Sequence, residues 1–178
     1  MTFPPRAAVT SSLAVGLVGG LLGLSTAAHA SPVDITCAVG SQTASYSPAM
    51  TNTTQPTSAS ITENYSCTSL STAVSSGSTS AVFAEDAGCL LTAQPAHTAV
   101  TTYTWDTSAT STITFTVSNV VRAVDGTTTV TSLGSVTAGL GQGSLATRVI
   151  VLPALSLTAC AGAGVSSQTG TATLSILP

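Results

Sequence analysis

The sequence contains no lysine, and its only arginines are Arg6, Arg122 and Arg148. That absence removes whole classes of partner. A nucleic-acid binder needs clustered cations to neutralise phosphates, and an anionic membrane surface is held by the same means. Neither is expected here. Histidine is almost as scarce, with His97 the only one beyond the first thirty residues. No C-x-x-C pair occurs either, so no zinc site, other metal site or cofactor is expected. Aromatic residues make up 4% of the chain, too few to spare from a core. No apolar period of three to four residues persists after the N-terminal segment, which argues against helices.

What the chain has instead is hydroxyls. Serine and threonine account for about a third of it, and they must wet a surface that charge does not. Hydrophobic content is high at 43%, which separates the chain from disordered sequences.

The first thirty residues read as a secretory signal peptide. Arg6 supplies the positive charge, Ala14 to Leu24 forms a short glycine-rich apolar run, and Ala28-His29-Ala30 is an A-x-A cleavage signal. The run falls short of the roughly 20 apolar residues a membrane span requires. Residues 31–178 then form a single domain, secreted to the cell exterior, with no membrane span after cleavage. Against Arg122 and Arg148 it carries Asp34, Glu63, Glu85, Asp86, Asp106 and Asp125, so it is weakly acidic.

All four cysteines, Cys37, Cys67, Cys89 and Cys160, lie in this exported part. An even number in an oxidising compartment points to two disulfides. Three connectivities are open, and Cys37–Cys67 with Cys89–Cys160 is the favoured one. The first would staple the N-terminal strands, and the second would close a long loop around the middle of the chain.

The middle, from Thr101 to Leu152, is the most strongly patterned region. Tyr103 and Trp105 share one face of a short alternating run. In Thr112 to Val117, Ile113, Phe115 and Val117 oppose Thr112, Thr114 and Thr116. At Asn119 the pattern shifts, with Val120 and Val121 side by side, which predicts a bulge or a switch between sheets. Asp125-Gly126 is a hairpin signal. Gly139, Gly141 and Gly143 mark the next reversal, and Leu145 to Leu152 is apolar on both faces. Earlier, Val33 to Val39 and Ser60 to Thr68 read as strands, Ser45 to Thr51 as an edge strand or turn, Leu70 to Ser80 as loop or weak strand, and Glu85 to Gly88 as a turn. Thr171 to Leu177 ends the chain as a strand. Short strands with Gly, Pro and Ser turns predict an all-β fold: an antiparallel immunoglobulin-like β-sandwich of about eight or nine strands with two disulfides.

An early Cys-x-x-Gly (Cys37, Gly40), Tyr46-Ser47-Pro48, Cys89-Leu90, the Tyr103-x-Trp105 strand and an L-x-x-C (Leu157 to Cys160) before Thr171-Ala-Thr-Leu174 together resemble small secreted proteins of actinomycetes, of Streptomyces type. These motifs are turns, cysteines and core positions. The resemblance implies a secreted β-sandwich of unassigned function and carries no catalytic residues.

Candidate chemistry is thin, and no catalytic residue is assigned. A Ser-His-Asp triad would depend on His97, in a Pro/Ala/Thr connection with no G-x-S-x-G elbow. Glu85 and Asp86 are adjacent, so in a strand they would face opposite ways rather than form a glycosidase pair. Tyr103 and Trp105 are candidates for carbohydrate contact, against the simpler expectation that they pack in the core. The rows Thr112/Thr114/Thr116 and Thr127/Thr128/Thr129 are candidate contacts for polysaccharide or ice, against the simpler expectation of a solvent face. The expected function is a non-enzymatic binding or structural module at the cell envelope or outside it. Its partner would be cell-wall polysaccharide or an extracellular protein. A protein inhibitor acting through the 106–110 or 138–144 loop is the first alternative, and a hydrolase the second.

Overall fold

The computed structural model describes residues 33–90 and 98–178. The signal-peptide reading and His97 therefore lie outside the described residues. Eight strands follow one another: β1 (Ile35–Met50), β2 (Gln55–Ser69), β3 (Ser76–Ala87), β4 (Ala99–Trp105), β5 (Thr110–Arg122), β6 (Thr128–Gly139), β7 (Leu145–Leu152) and β8 (Val165–Leu177). A five-residue helix, α1 (Leu157–Ala161), precedes β8. Each strand pairs antiparallel with the next, and β8 pairs back onto β1.

The antiparallel all-β expectation holds, but the sandwich does not. A sandwich needs two sheets, each with free edges. Here one sheet closes on itself, and closure removes the edges. The deciding strand is β1. It runs sixteen residues straight through Gly40 and Ser41, where the sequence predicts a break. Its register shifts against β8 between Cys37 and Ser41 and again between Ser45 and Met50. Such irregularities coil a strand and let a sheet curl. β3 is a second correction. Its hydroxyl-rich Ser76–Ser80 half, expected as loop or weak strand, pairs with β2 from Ser66↔Ser76 to Thr62↔Ser80, and the strand continues through Glu85 and Asp86 to Ala87. Hydroxyl side chains fit the outside of a barrel as well as they fit a loop.

Both favoured disulfides form. Cys37–Cys67 joins β1 to β2 inside the barrel, and Cys89–Cys160 ties the end of β3 to α1. The second bond packs with Met50 and Ala87, flanked by Tyr46, Leu155 and Val165, in a small satellite core outside the main one.

Alternation puts one side of every strand into the barrel. At the end where β1 begins, the interior is sealed by Val33, Ile35, Trp105, Val136 and Ile176. Trp105 Nε1 donates to Ser111 Oγ (2.8 Å), which donates on to the Leu140 carbonyl (2.6 Å), and Val33 N–H donates to Ser144 Oγ (3.1 Å). These satisfy the polar atoms of the plug. Gly77 is required here, because a methyl group at that position would overlap the Trp105 ring. At the hairpin between β5 and β6, Gly126 takes φ 85°, and Asp125 Oδ1 accepts from Thr127 N–H (2.9 Å), which are the turn features the Asp-Gly pair predicts.

Candidate functional site: a buried charged centre inside a hydroxyl-coated barrel

Midway along the barrel axis the apolar filling gives way to a polar centre. Glu63 lies on β2 in phase with Tyr65 and Cys67, so it faces inward, and its side chain is 2% exposed. Arg148 lies on β7 in phase with Ala146 and Ile150, and its side chain is 14% exposed. Arg148 Nη1 donates to Glu63 Oε1 at 3.1 Å. The other carboxylate oxygen, Oε2, accepts from the Tyr65 hydroxyl (2.8 Å) and the Tyr103 hydroxyl (3.2 Å). Arg148 Nη2 reaches Ser132 Oγ at 3.5 Å, and its guanidinium lies 4.5 Å over the centroid of Phe115. Five strands thus converge on one ion pair. Such a buried charge is tolerated because partner and hydrogen bonds are both supplied.

The two tyrosines are held neutral. Burial pushes the Tyr65 and Tyr103 hydroxyls well above their ordinary range, and the Glu63 charge beside them adds to the effect, while Arg148 opposes it. Arg148 is raised as well: burial works against its charge, but the surrounding Tyr103, Glu63 and Tyr65 outweigh it. Two polar atoms of the centre have no partner among the described residues: Gln42 Oε1 and Arg148 Nε, both buried. Gln42 stands directly opposite Glu63 in the β1–β2 register.

The sequence reading placed Tyr103 and Trp105 on one face, and the structure agrees. The two rings stack with centroids 6.1 Å apart, and Tyr65 meets Tyr103 edge-on at 6.0 Å. That face is the inner one, with Tyr103 fully buried and Trp105 at 2% exposure. An open groove of about 360 Å³ runs outside Trp105, rimmed by Asn64, Ser76, Ser78, Thr104 and Asp106. Tyr65 and Trp105 also line it, but at 4% and 2% exposure neither presents a ring face on which a sugar could stack. Glu85 and Asp86 alternate along β3, the first half-buried and the second exposed, so they form no facing pair. Among the described residues, no group of three or more His, Cys, Asp or Glu is placed to hold a metal ion.

The outer wall is the complement of the centre. Outward positions of β8, β1, β2 and β3 align across the sheet as Thr169–Thr43–Thr62–Ser80 and, one step along, as Thr171–Ser41–Asn64–Ser78. The threonine row of β5 continues this character on another side. Thr102 and Thr112 hydroxyls lie 3.1 Å apart, and those of Thr114 and Thr137 lie 3.3 Å apart. Asp34 lies just before β1, Asp106 and Asp125 sit in segments between strands, and Glu85, Asp86 and Arg122 lie near the ends of theirs. The outward faces of β8, β1 and β2 carry no charge.

Comparison with protein-family models, with curated proteins and with solved structures finds no match for this chain.

Proposed function

We propose that this is an exported, non-enzymatic β-barrel module that uses its uncharged hydroxyl wall to hold a neutral polysaccharide of the cell envelope or extracellular matrix. The observation that carries the reading is the cross-strand register that stacks Thr169, Thr43, Thr62 and Ser80 in one row. Strands lie about 4.8 Å apart and same-face residues about 7 Å apart along a strand, so the rows make a regular lattice of donor-acceptor groups. Each hydroxyl both donates and accepts, as sugar hydroxyls do. With no charge on this wall, a neutral glycan meets no unpaired ion. The two disulfides fit an extracellular setting. Among the described residues no helix is long and apolar enough to cross a membrane. A lipid-facing barrel would show an outward apolar band between aromatic girdles; here Val82, Val100, Leu133, Leu145 and Val151 are exposed among serines and threonines, and Tyr65, Tyr103 and Trp105 face inward.

Cosedimentation with insoluble cellulose, chitin and peptidoglycan tests the reading. Retention on at least one is expected, and it should fall when Thr43→Asp and Thr62→Asp place charge in the lattice. Absence of retention on all three would overturn it. The inhibitor alternative gains nothing from the loops it relied on. The reversal after β6 is pinned by Gly143 N–H donating to the Val136 carbonyl (2.9 Å) and Ser144 N–H donating to the Gly141 carbonyl (2.9 Å), which leaves little chain to project.

A further inference from the structure

We propose that the barrel is built as two halves that part along the β3–β4 seam, with the Glu63 carboxylate as the clasp between them. The ladders mark the division. Among the described residues β3 and β4 pair only at Gly77↔Trp105 and Ser78↔Thr104, although β3 runs on to Ala87 and β4 reaches back to Ala99. One residue further, Thr79 Oγ1 donates to the Thr102 carbonyl (2.7 Å), so a side chain stands in for a ladder bond. On the other side of the pairs, Asp106 N–H donates to the Ser76 carbonyl (3.1 Å), and the Asp106 carboxylate accepts from Ser75 N–H (3.1 Å). The opposite join is far longer: β7 pairs with β8 from Leu145↔Leu177 to Val151↔Thr171. Phe83 shows the parting. It lies in the inward phase of β3, opposite fully buried Ala59 on β2, yet it is 38% exposed.

The covalent links fall on one side of the division. Cys37–Cys67 joins β1 to β2, and Cys89–Cys160 ties the end of β3 to the helix that leads into β8. The half made of β8, β1, β2 and β3 is therefore stapled, whereas β4 to β7 are held by hydrogen bonds and packing alone. The row Thr169–Thr43–Thr62–Ser80 lies wholly on the stapled half, so its lattice survives a parting of the halves. The buried centre spans the division. Glu63 belongs to the stapled half, and Arg148 and Tyr103 belong to the other. Glu63 accepts from Arg148 Nη1 (3.1 Å) and from the Tyr103 hydroxyl (3.2 Å), and both bonds break when the halves separate. A hydrogen bond to an ionised group is about twice as strong as a neutral one, which concentrates the hold on one carboxylate. Proteins open in contiguous units at free energies below that of global unfolding, and the boundary with the fewest bonds is the one that opens.

Native-state hydrogen exchange on the oxidised full chain tests the proposal. Asp106 is bonded to Ser76 across the seam, so Ser78 and Thr104 form the next bonded pair. The amides of Ser78, Thr104 and Asp106 should exchange about tenfold faster than those bridging β5 and β6. The amides between β4 and β5 should stay slow, because β4 moves with β5. Glu63→Gln, which removes the charge of the clasp, should speed the seam amides by about a further tenfold. Tyr103→Phe, which removes one bond across the division, provides a milder second variant and should speed them about fivefold. A disulfide built by Ser78→Cys with Thr104→Cys should return the Asp106 amide to the rate of the β5–β6 ladder, with or without Glu63→Gln. Three results would overturn the proposal: seam amides no faster than those of β5–β6, β4–β5 amides as fast as the seam, as when β4 frays alone, or wild-type seam rates in any folded clasp variant.

Discussion

Below the Glu63 layer the barrel interior is aromatic and aliphatic, and its few polar atoms are paired within the plug. Above the layer Ala44, Thr57, Ala59, Ile150 and Ala172 are buried while Ile61, Val120, Val130 and Leu152 are half-buried, and at the layer itself an amide oxygen and a guanidinium nitrogen have no partner among the described residues. The same eight strands supply both ends, so strand number does not set the difference. Side-chain volume does. Tyr65, Tyr103, Trp105 and Phe115 all project into the sealed half or its boundary, while the other half receives Thr101, Val120 and Val130. A barrel too small in aromatics to fill itself has filled one end completely and spent its buried charge at the border.

The comparison breaks most sharply if the base is undermined. Phe115→Ala removes a fully buried ring and the surface under Arg148, and should cost about 3–5 kcal/mol in urea unfolding, whereas Val120→Ala in the half-open end should cost under about 1 kcal/mol by the same measure. Replacing Cys89 and Cys160 together with alanine opens a loop of 71 residues and should lower stability by about 4 kcal/mol, read as a shift in the denaturation midpoint against the oxidised wild type. Gly77→Ala forces the Trp105 ring to move and should cost about 1–3 kcal/mol, with a change in Trp fluorescence. A pH scan sharpens the picture at the border. Tyr65 and Tyr103 have folded values raised above the ordinary value near 10. Their contribution is complete below pH 10 and is lost as pH climbs from there toward the raised folded values. Phenolate absorbance at 295 nm for these two residues should therefore appear only together with loss of the near-UV signal of folding. The smallest effect belongs to the outer wall, where Thr62→Ala should change stability by no more than about 0.5 kcal/mol.

Much of the architecture was legible in the sequence, because alternation, hairpin signals and cysteine number each have a local cause. The Asp125-Gly126 turn, the glycine reversal after β6 and the Tyr103–Trp105 strand follow from residues close together in the chain, whereas the disulfides join residues 30 and 71 apart and follow from cysteine number and order. Closure into a barrel was not legible. A strand alternates identically in a sandwich and in a barrel, and what separates them is the pairing of β1 with β8, which joins residues at opposite ends of the domain. The short helix α1 escaped notice because five residues make barely more than one turn. Glu63 and Arg148 were missed for a different reason. Both enter the sequence reading only through the charge balance, yet each sits in the apolar phase of its strand, between Ile61 and Tyr65 and between Ala146 and Ile150. Two opposite charges in inward phase within a chain so poor in charge were the available signal.

The central claim is that Glu63 and Arg148 form one buried unit inside a closed barrel, and a double-mutant cycle in urea unfolding tests it most directly. Glu63→Ala and Arg148→Ala should each cost about 3–5 kcal/mol, because each strands its partner's charge. The double variant should cost about 1–3 kcal/mol less than the sum of the two, which is the coupling between them. Small and additive losses would contradict the claim and place the two side chains apart, in solvent.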